Sequence, residues 1–290
     1  MVVRKFFAVG FKMNKTLINI KALYNEMGKS EKKIADWVML HPTEILPISI
    51  SELAEKSDSS EATIVRFSRR LGFSGFQDFK ISFANYSDSE PVNPHITKTD
   101  SCSDIFSKVA DDICVSLEKT KKVIDKGSLE EASSAIISAK KVMLFGLGNS
   151  ASVALDAAHK FMRAGINAYA YSDNHMQAIA ASHLEKGDVA IGISHSGSSI
   201  DVVDALRVAK ENGAITISIS GVHKSPIARV SDISLNTFAD EPKYSILALN
   251  SRIVQLAIID TLYFSIILHS NKKSIEAIKA TENALKKKKY

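Results

Sequence analysis

Two stretches of the chain concentrate groups that bind an anion without a cation. The first is KVMLFGLGNS, Lys141 to Ser150, an apolar run of strand length that ends in Gly-x-Gly and opens onto a helix-compatible segment, Ser150 to Arg163. The second is DVAIGISHSGSS, Asp188 to Ser199, again an apolar strand, then glycine and hydroxyls, then a helical pattern. Four serine hydroxyls and a glycine fall within the six residues Ser194 to Ser199. A helix N-terminus offers unpaired N–H groups, and serine hydroxyls add neutral donors. In an open α/β sheet, ligands bind beyond the carboxyl ends of strands, so two such turns meeting over one phosphate is the chemistry this spacing allows. GLGNS is not a full G-x-G-x-x-G, and no acidic residue ends the next strand to grip a ribose, which argues against a dinucleotide. Taken singly, GLGNS reads equally as a tight structural turn.

A third stretch, Ser49 to Leu71, has the spacing of a helix-turn-helix. Ser49 caps a short helix over 50–57, Asp58 and Ser59 make a turn, and Ser60 caps a second helix to about Arg70. Ala54 is small where the helices cross, and Leu53, Ile64 and Phe67 supply the contacts that lock them. The second helix presents Ser60, Glu61 and Thr63 at its N-terminal end, where side chains reach base edges. Arg66, Arg69 and Arg70 follow at helical spacing and share a face towards phosphates. Asp58 stands where glycine is usual and Ser59 where an apolar residue packs; Asp tolerates the left-handed region well enough for the turn to survive. On spacing alone, a helical hairpin with a solvated basic face remains open.

The surrounding elements follow from periodicity. SEKKIADWVMLH, from Ser30, reads as a helix with Trp37 in a small core, and Phe73, Phe76 and Phe79 seal it. Tyr86 to Ser103 is polar, holds Pro91 and Pro94 and lacks periodicity, which marks a linker. Helical patterns over 104–125 and 128–140 lead into alternating strands at 141–147, 166–171, 187–193, 214–220 and 232–236 and helices at 150–163, 174–184, 199–212 and 244–269. That alternation predicts an α/β domain with a doubly wound parallel sheet behind an all-α N-terminal domain. The expected organisation is an N-terminal extension over 1–12, a helix-turn-helix domain over 13–89 with its motif near 50–69, a linker over 90–103, an α/β domain over 104–271 and a basic tail over 272–290.

Composition narrows the function classes. The 290 residues, 45% hydrophobic and 24% charged, have ample material for a core. Of the net charge of +5, residues 1–12 contribute +3 and 270–290 contribute +5, while 13–90 and 91–269 carry −1 and −2. The basic excess sits in the tails, so overall charge is no argument for nucleic acid, and a DNA-binding claim rests on the local motif. Ile246 to Leu268 is long and apolar, but Asn250, Arg252, Gln255 and Asp260 argue against a membrane span. Asp260 and Arg252 suit a polar network better than a site. Cys102 and Cys114 form no metal pattern or disulfide framework, as expected for a reducing cytoplasm, and Cys114 is expected to fill a core stripe with Val109, Ile113 and Leu117. No metal, cofactor, catalytic group or secretory signal is expected.

GLGNS, SHSGSS and the spacing between them resemble the sugar-isomerase (SIS) domain of phosphosugar-binding proteins. With the N-terminal motif, the chain resembles an RpiR-type transcriptional regulator over residues 28–270. Further matches are SEATIVRFSRRLGFSGFQDFK, KFMRAGINAYAYSDNHMQAIAA, SPIARVSDISL and SRIVQLAIIDTLYF. The departures are Asp58 and Ser59 in the turn, and Ser199 where Thr is common. The resemblance implies a flavodoxin-like SIS fold and a regulator that binds an operator in double-stranded DNA as a homodimer or homotetramer and answers to a sugar phosphate. It implies that Gly148, Asn149 and Ser150 lie against the effector, that Ser194, Ser196 and Ser199 hold its phosphate, and that His175 and Glu241 stand near the sugar. His175 reads equally as a packing residue, Glu241 as a solvated loop residue, and His195 as pointing away. A phosphosugar isomerase is the main alternative, although a free-standing isomerase has no use for a helix-turn-helix; a purely structural dimerisation protein leaves the hydroxyl-rich turns unexplained.

Overall fold

The computed structural model describes residues 15–83, 95–221, 224–239, 249–270 and 272–286. The chain divides into two compact units, with the change from one to the next between Lys98 and Thr99.

The first unit is helical: α1 (Lys15–Leu23), α2 (Lys29–Leu40), α3 (Ile50–Lys56), α4 (Glu61–Arg70) and α5 (Phe76–Ile81). α3 starts where the sequence places a reciprocal cap. The Ser49 hydroxyl accepts from the Glu52 N–H at 3.1 Å, and the Glu52 carboxylate accepts from the Ser49 N–H at 2.8 Å. α4 starts at Ser60, whose hydroxyl accepts from the Thr63 N–H. Between them Asp58 takes φ +45°, the one positive φ at a non-glycine among the described residues. Its carboxylate pairs with Lys33 of α2. Ser59 sits in the turn by bonding its hydroxyl to that of Ser57 at 2.8 Å, so the position that usually packs a hydrocarbon is satisfied by a polar contact.

Ile34, Val38, Leu53, Ile64, Phe67 and Phe79 are fully buried and form one core. Phe79 is its hub, meeting Phe67, Phe73 and Phe83 edge-on at centroid distances of 5.2–5.7 Å. Trp37, expected in that core, lies at its margin instead, half-buried and stacked on His41. Lys80 is buried, with its Nζ 5.6 Å from the centre of the Phe76 ring, and donates to the Ile48 carbonyl at 2.7 Å.

The second unit opens with α6 (Cys102–Val123), capped by Ser101, and α7 (Lys126–Ser138), capped by Asp125. Five strands follow: β1 (Val142–Gly146), β2 (Ala168–Tyr171), β3 (Val189–Ile193), β4 (Ile215–Ser220) and β5 (Ile233–Asn236). Their order is β2-β1-β3-β4-β5, and every pairing is parallel. α8 (Asn149–Arg163), α9 (Asn174–Ser182) and α10 (Ile200–Glu211) connect them. Alternate strand residues feed two cores. Val142, Leu144, Ile191 and Ile217 meet α7, α8 and α12 (Leu249–His269), while Met143, Phe145 and Ala190 meet α9 and α10. The sheet is therefore doubly wound, as predicted, with every predicted strand present.

Four details differ from the sequence reading. Cys114 is exposed, because α6 turns Ser116 and Thr120 inward and leaves the stripe of Val109, Ile113 and Leu117 only half-buried. A five-residue helix, α11 (Pro226–Val230), follows β4, started by the fixed φ of Pro226 at its first turn. The expected basic tail is largely helical: α13 (Lys272–Lys286) lays Ala277 on Gly165 beyond the end of α8. The expected linker ends early, since α6 begins at Cys102, and residues 84–94 lie outside the described residues. α12 is long and apolar enough to cross a membrane by length and composition, but Ile258, Ile259, Leu262 and Ile266 are buried core residues. Its Asp260 pairs with Lys160 of α8, which also binds Asp156. Phe106 of α6, Phe264 and Leu268 of α12, and Leu155 and Met162 of α8 are exposed.

Candidate functional site

The strand order places a switch point between β1 and β3: β1 leads to β2 on one side, and β3 leads to β4 on the other. Crevices at such points are where open α/β sheets bind ligands. Both serine-bearing turns end there, GLGNS after β1 and SHSGSS after β3.

The first turn is shaped by its two glycines. A Cβ at Gly146 would stand 2.6 Å from the Ser150 carbonyl oxygen, so only glycine lets the first turn of α8 descend so closely onto the strand. Gly148 is the cap residue of α8 with φ +55° and ψ −127°, a region disfavoured for side-chain-bearing residues. Asn149 and Ser150 then form the first turn of a 15-residue helix, both half-buried.

The second turn is held by hydroxyls. Ser194 is buried, 3% exposed, with its N–H on the Ile219 carbonyl of β4. Its Oγ lies 3.0 Å from that of Ser199. Ser199 occupies the cap position of α10, yet its hydroxyl makes no capping bond and serves this contact instead. Ser196 Oγ accepts from the Ser198 N–H at 3.3 Å. Gly197, φ +62°, packs on Ser225, and its carbonyl accepts from the Ile227 N–H of α11. His195 lies over Gly221 at the end of β4. No Lys or Arg occurs in either turn, so an anion here meets helix N-termini and neutral hydroxyls.

His175 is exposed in the first turn of α9, behind the cap Asp173. Glu241 lies outside the described residues. The structure adds Gln177, fully buried on α9, whose Nε2 donates to the Gly146 carbonyl at 3.0 Å and to the Tyr171 carbonyl at 2.9 Å. The available signal was an amide on the same stripe as Ala180 and Ala181, polar where the helix is otherwise buried and apolar.

In the helix-turn-helix, Ser60, Arg66 and Arg69 are exposed. Glu61 is half-buried and accepts from the Ser51 hydroxyl at 2.8 Å, tying α4 to α3. Thr63 is 7% exposed; its hydroxyl bonds that of Ser60 and accepts from Arg66. Arg70 turns back on its own domain, donating to the Glu26 carbonyl and pairing with Glu31 at 3.2 Å.

Residues 14–90 match the family described as helix-turn-helix domain, rpiR family, and residues 135–265 match the SIS domain. An HTH-type transcriptional regulator of Caldanaerobacter subterraneus subsp. tengcongensis is 37% identical over 273 residues, 93% of this chain and 96% of the relative. The chain belongs to the RpiR family of helix-turn-helix transcriptional regulators. Another RpiR-type relative, the HTH-type transcriptional regulator HexR of Pseudomonas aeruginosa, is 33% identical over 252 residues, 86% of this chain and 88% of the relative. Among solved structures, the Vibrio vulnificus NanR protein complexed with ManNAc-6P is similar with a TM-score of 0.81 and 25% identity, over 95% of this chain and 100% of that one. The Caldanaerobacter and Pseudomonas relatives are HTH-type transcriptional regulators, and the RpiR-family membership sets aside the free-standing isomerase.

Proposed function

We propose that this regulator senses a sugar phosphate between its two serine turns. The phosphate is held by Ser194, Ser196 and Ser199 and by the start of α8 at Gly148, Asn149 and Ser150. His175 and Glu241 stand at the sugar end. The observation that carries this reading is the pair of helix N-termini, α8 and α10, starting after the neighbouring parallel strands β1 and β3, with hydroxyls rather than cations around them. The likeness to NanR complexed with ManNAc-6P supports an amino-sugar or sugar phosphate as the class.

The DNA-binding domain spans 13–89 and the effector domain 104–271. α4 enters the major groove, with Ser60, Glu61 and Thr63 at the base-facing end and Arg66, Arg69 and Arg70 towards phosphates. Two copies at least are needed to present paired recognition helices, as a cytoplasmic homodimer or homotetramer. The exposed apolar residues of α6, α8 and α12 supply a surface for that contact. Effector binding changes operator affinity by altering the spacing between those helices. The test is a gel shift on the protein's own promoter region, with and without a panel of sugar phosphates. Turnover of a sugar phosphate without DNA binding under any condition would overturn the proposal.

A further inference from the structure

Gln177 ties together three elements of the effector site. The Gly146 carbonyl ends β1 and begins the GLGNS turn, the Tyr171 carbonyl ends β2, and Gln177 itself lies on α9, two residues after His175. β1 and β2 pair up to Phe145 and Tyr171, so these carbonyls lie at the end of the ladder, where one side-chain amide bridges them. Both protons of Nε2 are used. A flipped amide would set its oxygen against two carbonyl oxygens, so the orientation is determined by the bonds. This leaves Oε1, buried and with no hydrogen-bond partner among the described residues. Buried acceptors are almost always paired, so an open one on the side chain that bridges the ends of β1 and β2 calls for a donor.

We infer that Gln177 is a positioning residue that sets the spacing between the first phosphate turn and the α9 turn bearing His175, and that its Oε1 accepts from a hydroxyl of the bound sugar. Residues two apart on a helix point to nearly opposite sides, so anchoring Gln177 inward directs His175 outward. The dianion of a phosphate monoester brings no donor to Oε1, whereas a sugar brings several. Gln177 thereby discriminates the sugar end, while the larger share of phosphate capture stays with the turn after β3, which it does not touch. The discrimination rests on the phosphosugar reading; the coupling of the two turns does not.

The test compares the wild-type protein with Gln177→Met, which keeps the side chain's length and removes both donors and the acceptor. Amide hydrogen exchange without added ligand reads the coupling. Residues 146–150 and 173–177 should exchange faster together in the variant while β3 and β4 are unchanged; unchanged exchange in both segments overturns the coupling. Isothermal titration at pH 8.5 with N-acetylmannosamine 6-phosphate, glucose 6-phosphate and methyl phosphate reads the discrimination. The variant should lose about 10-fold or more in affinity for the phosphosugar that binds the wild type, with methyl phosphate changed less than about 3-fold. A parallel loss for all three, accompanied by lower thermal stability, reduces Gln177 to a structural role. If no phosphosugar binds the wild type, the effector reading and the discrimination fail together, and hydrogen exchange still decides the coupling. Should the variant not fold, NMR of the wild type answers: the chain has three glutamines, Gln77, Gln177 and Gln255, so the side-chain amide signal is readily assigned. It should exchange slowly and shift with the phosphosugar but not with methyl phosphate; fast exchange, or no shift with the phosphosugar, overturns the assignment.

Discussion

The hydroxyls of Ser194 and Ser199 lie 3.0 Å apart across the turn that follows β3. One donates to the other, which leaves a single proton and several lone pairs between them and holds the loop open around Gly197. Replacing both Ser194 and Ser196 by alanine removes hydroxyls from this turn at two points. A hydrogen bond to a charged group contributes about 1.5–3 kcal/mol, so the double variant should bind its sugar phosphate at least about 100-fold more weakly. Operator affinity without effector should be unchanged. Calorimetry and gel shifts read the two separately, and an undiminished effector response would place the phosphate elsewhere. Ser199→Thr keeps the hydroxyl and should retain binding.

Gly146→Ala tests the other turn. The added methyl would stand 2.6 Å from the Ser150 carbonyl oxygen, and overpacking against backbone costs roughly 1–3 kcal/mol. Denaturant unfolding should show that loss. The phosphosugar response should weaken as well, since α8 must lift from β1.

Arg66 and Arg70 should separate into two phenotypes. Arg66 is exposed on α4, and Arg66→Ala should weaken operator binding on all sequences and lower the salt slope by about one unit. Arg70 already pairs with Glu31 and the Glu26 carbonyl, so Arg70→Ala should lower the melting temperature of the N-terminal unit as well. Equal effects of both variants on DNA binding and none on stability would contradict this division.

Lys80 gives the N-terminal unit a pH dependence. Burial lowers its pKa from 10.5 to about 8, and the nearby Glu52 charge opposes that only in part. The folded-state pKa is below the unfolded one, so the unfolded chain holds the proton more tightly. Stability from this group is therefore lowest below pH 8 and rises as the pH climbs towards 10.5. The difference amounts to roughly 3 kcal/mol across that range. Urea unfolding at pH 7 and pH 9.5 should show wild type gaining on Lys80→Met at the higher pH. Parallel curves would mean that the ammonium is solvated.

The strands were legible because each is an apolar run ended by glycine or a polar turn. The caps at Ser49 and Ser60 were legible because short-range chemistry decides them. The serine turns were recognisable by type, but their meeting depends on strand order, which periodicity does not encode. Gln177 escaped because a single amide on a short helix becomes informative only when two carbonyls are placed before it. Thr63 and Arg70 illustrate the converse: spacing put them on a DNA-facing helix, while their closest partners, the Ser60 hydroxyl and the Glu26 carbonyl, lie within the fold. Cys114 was misplaced because α6 buries hydroxyls, not hydrocarbon, on its inward side. α13 was hidden by its lysines, which mask a helical repeat.

Phe264 and Leu268 are 62% and 76% exposed on α12, and Phe106 is 74% exposed on α6. Side chains of this size left in water favour any state that covers them. If a second copy covers them, folding and association become one equilibrium by mass action. The melting temperature should then climb with protein concentration, and dilution should cost both stability and operator binding. The number of copies in a cell would itself set how much competent regulator exists.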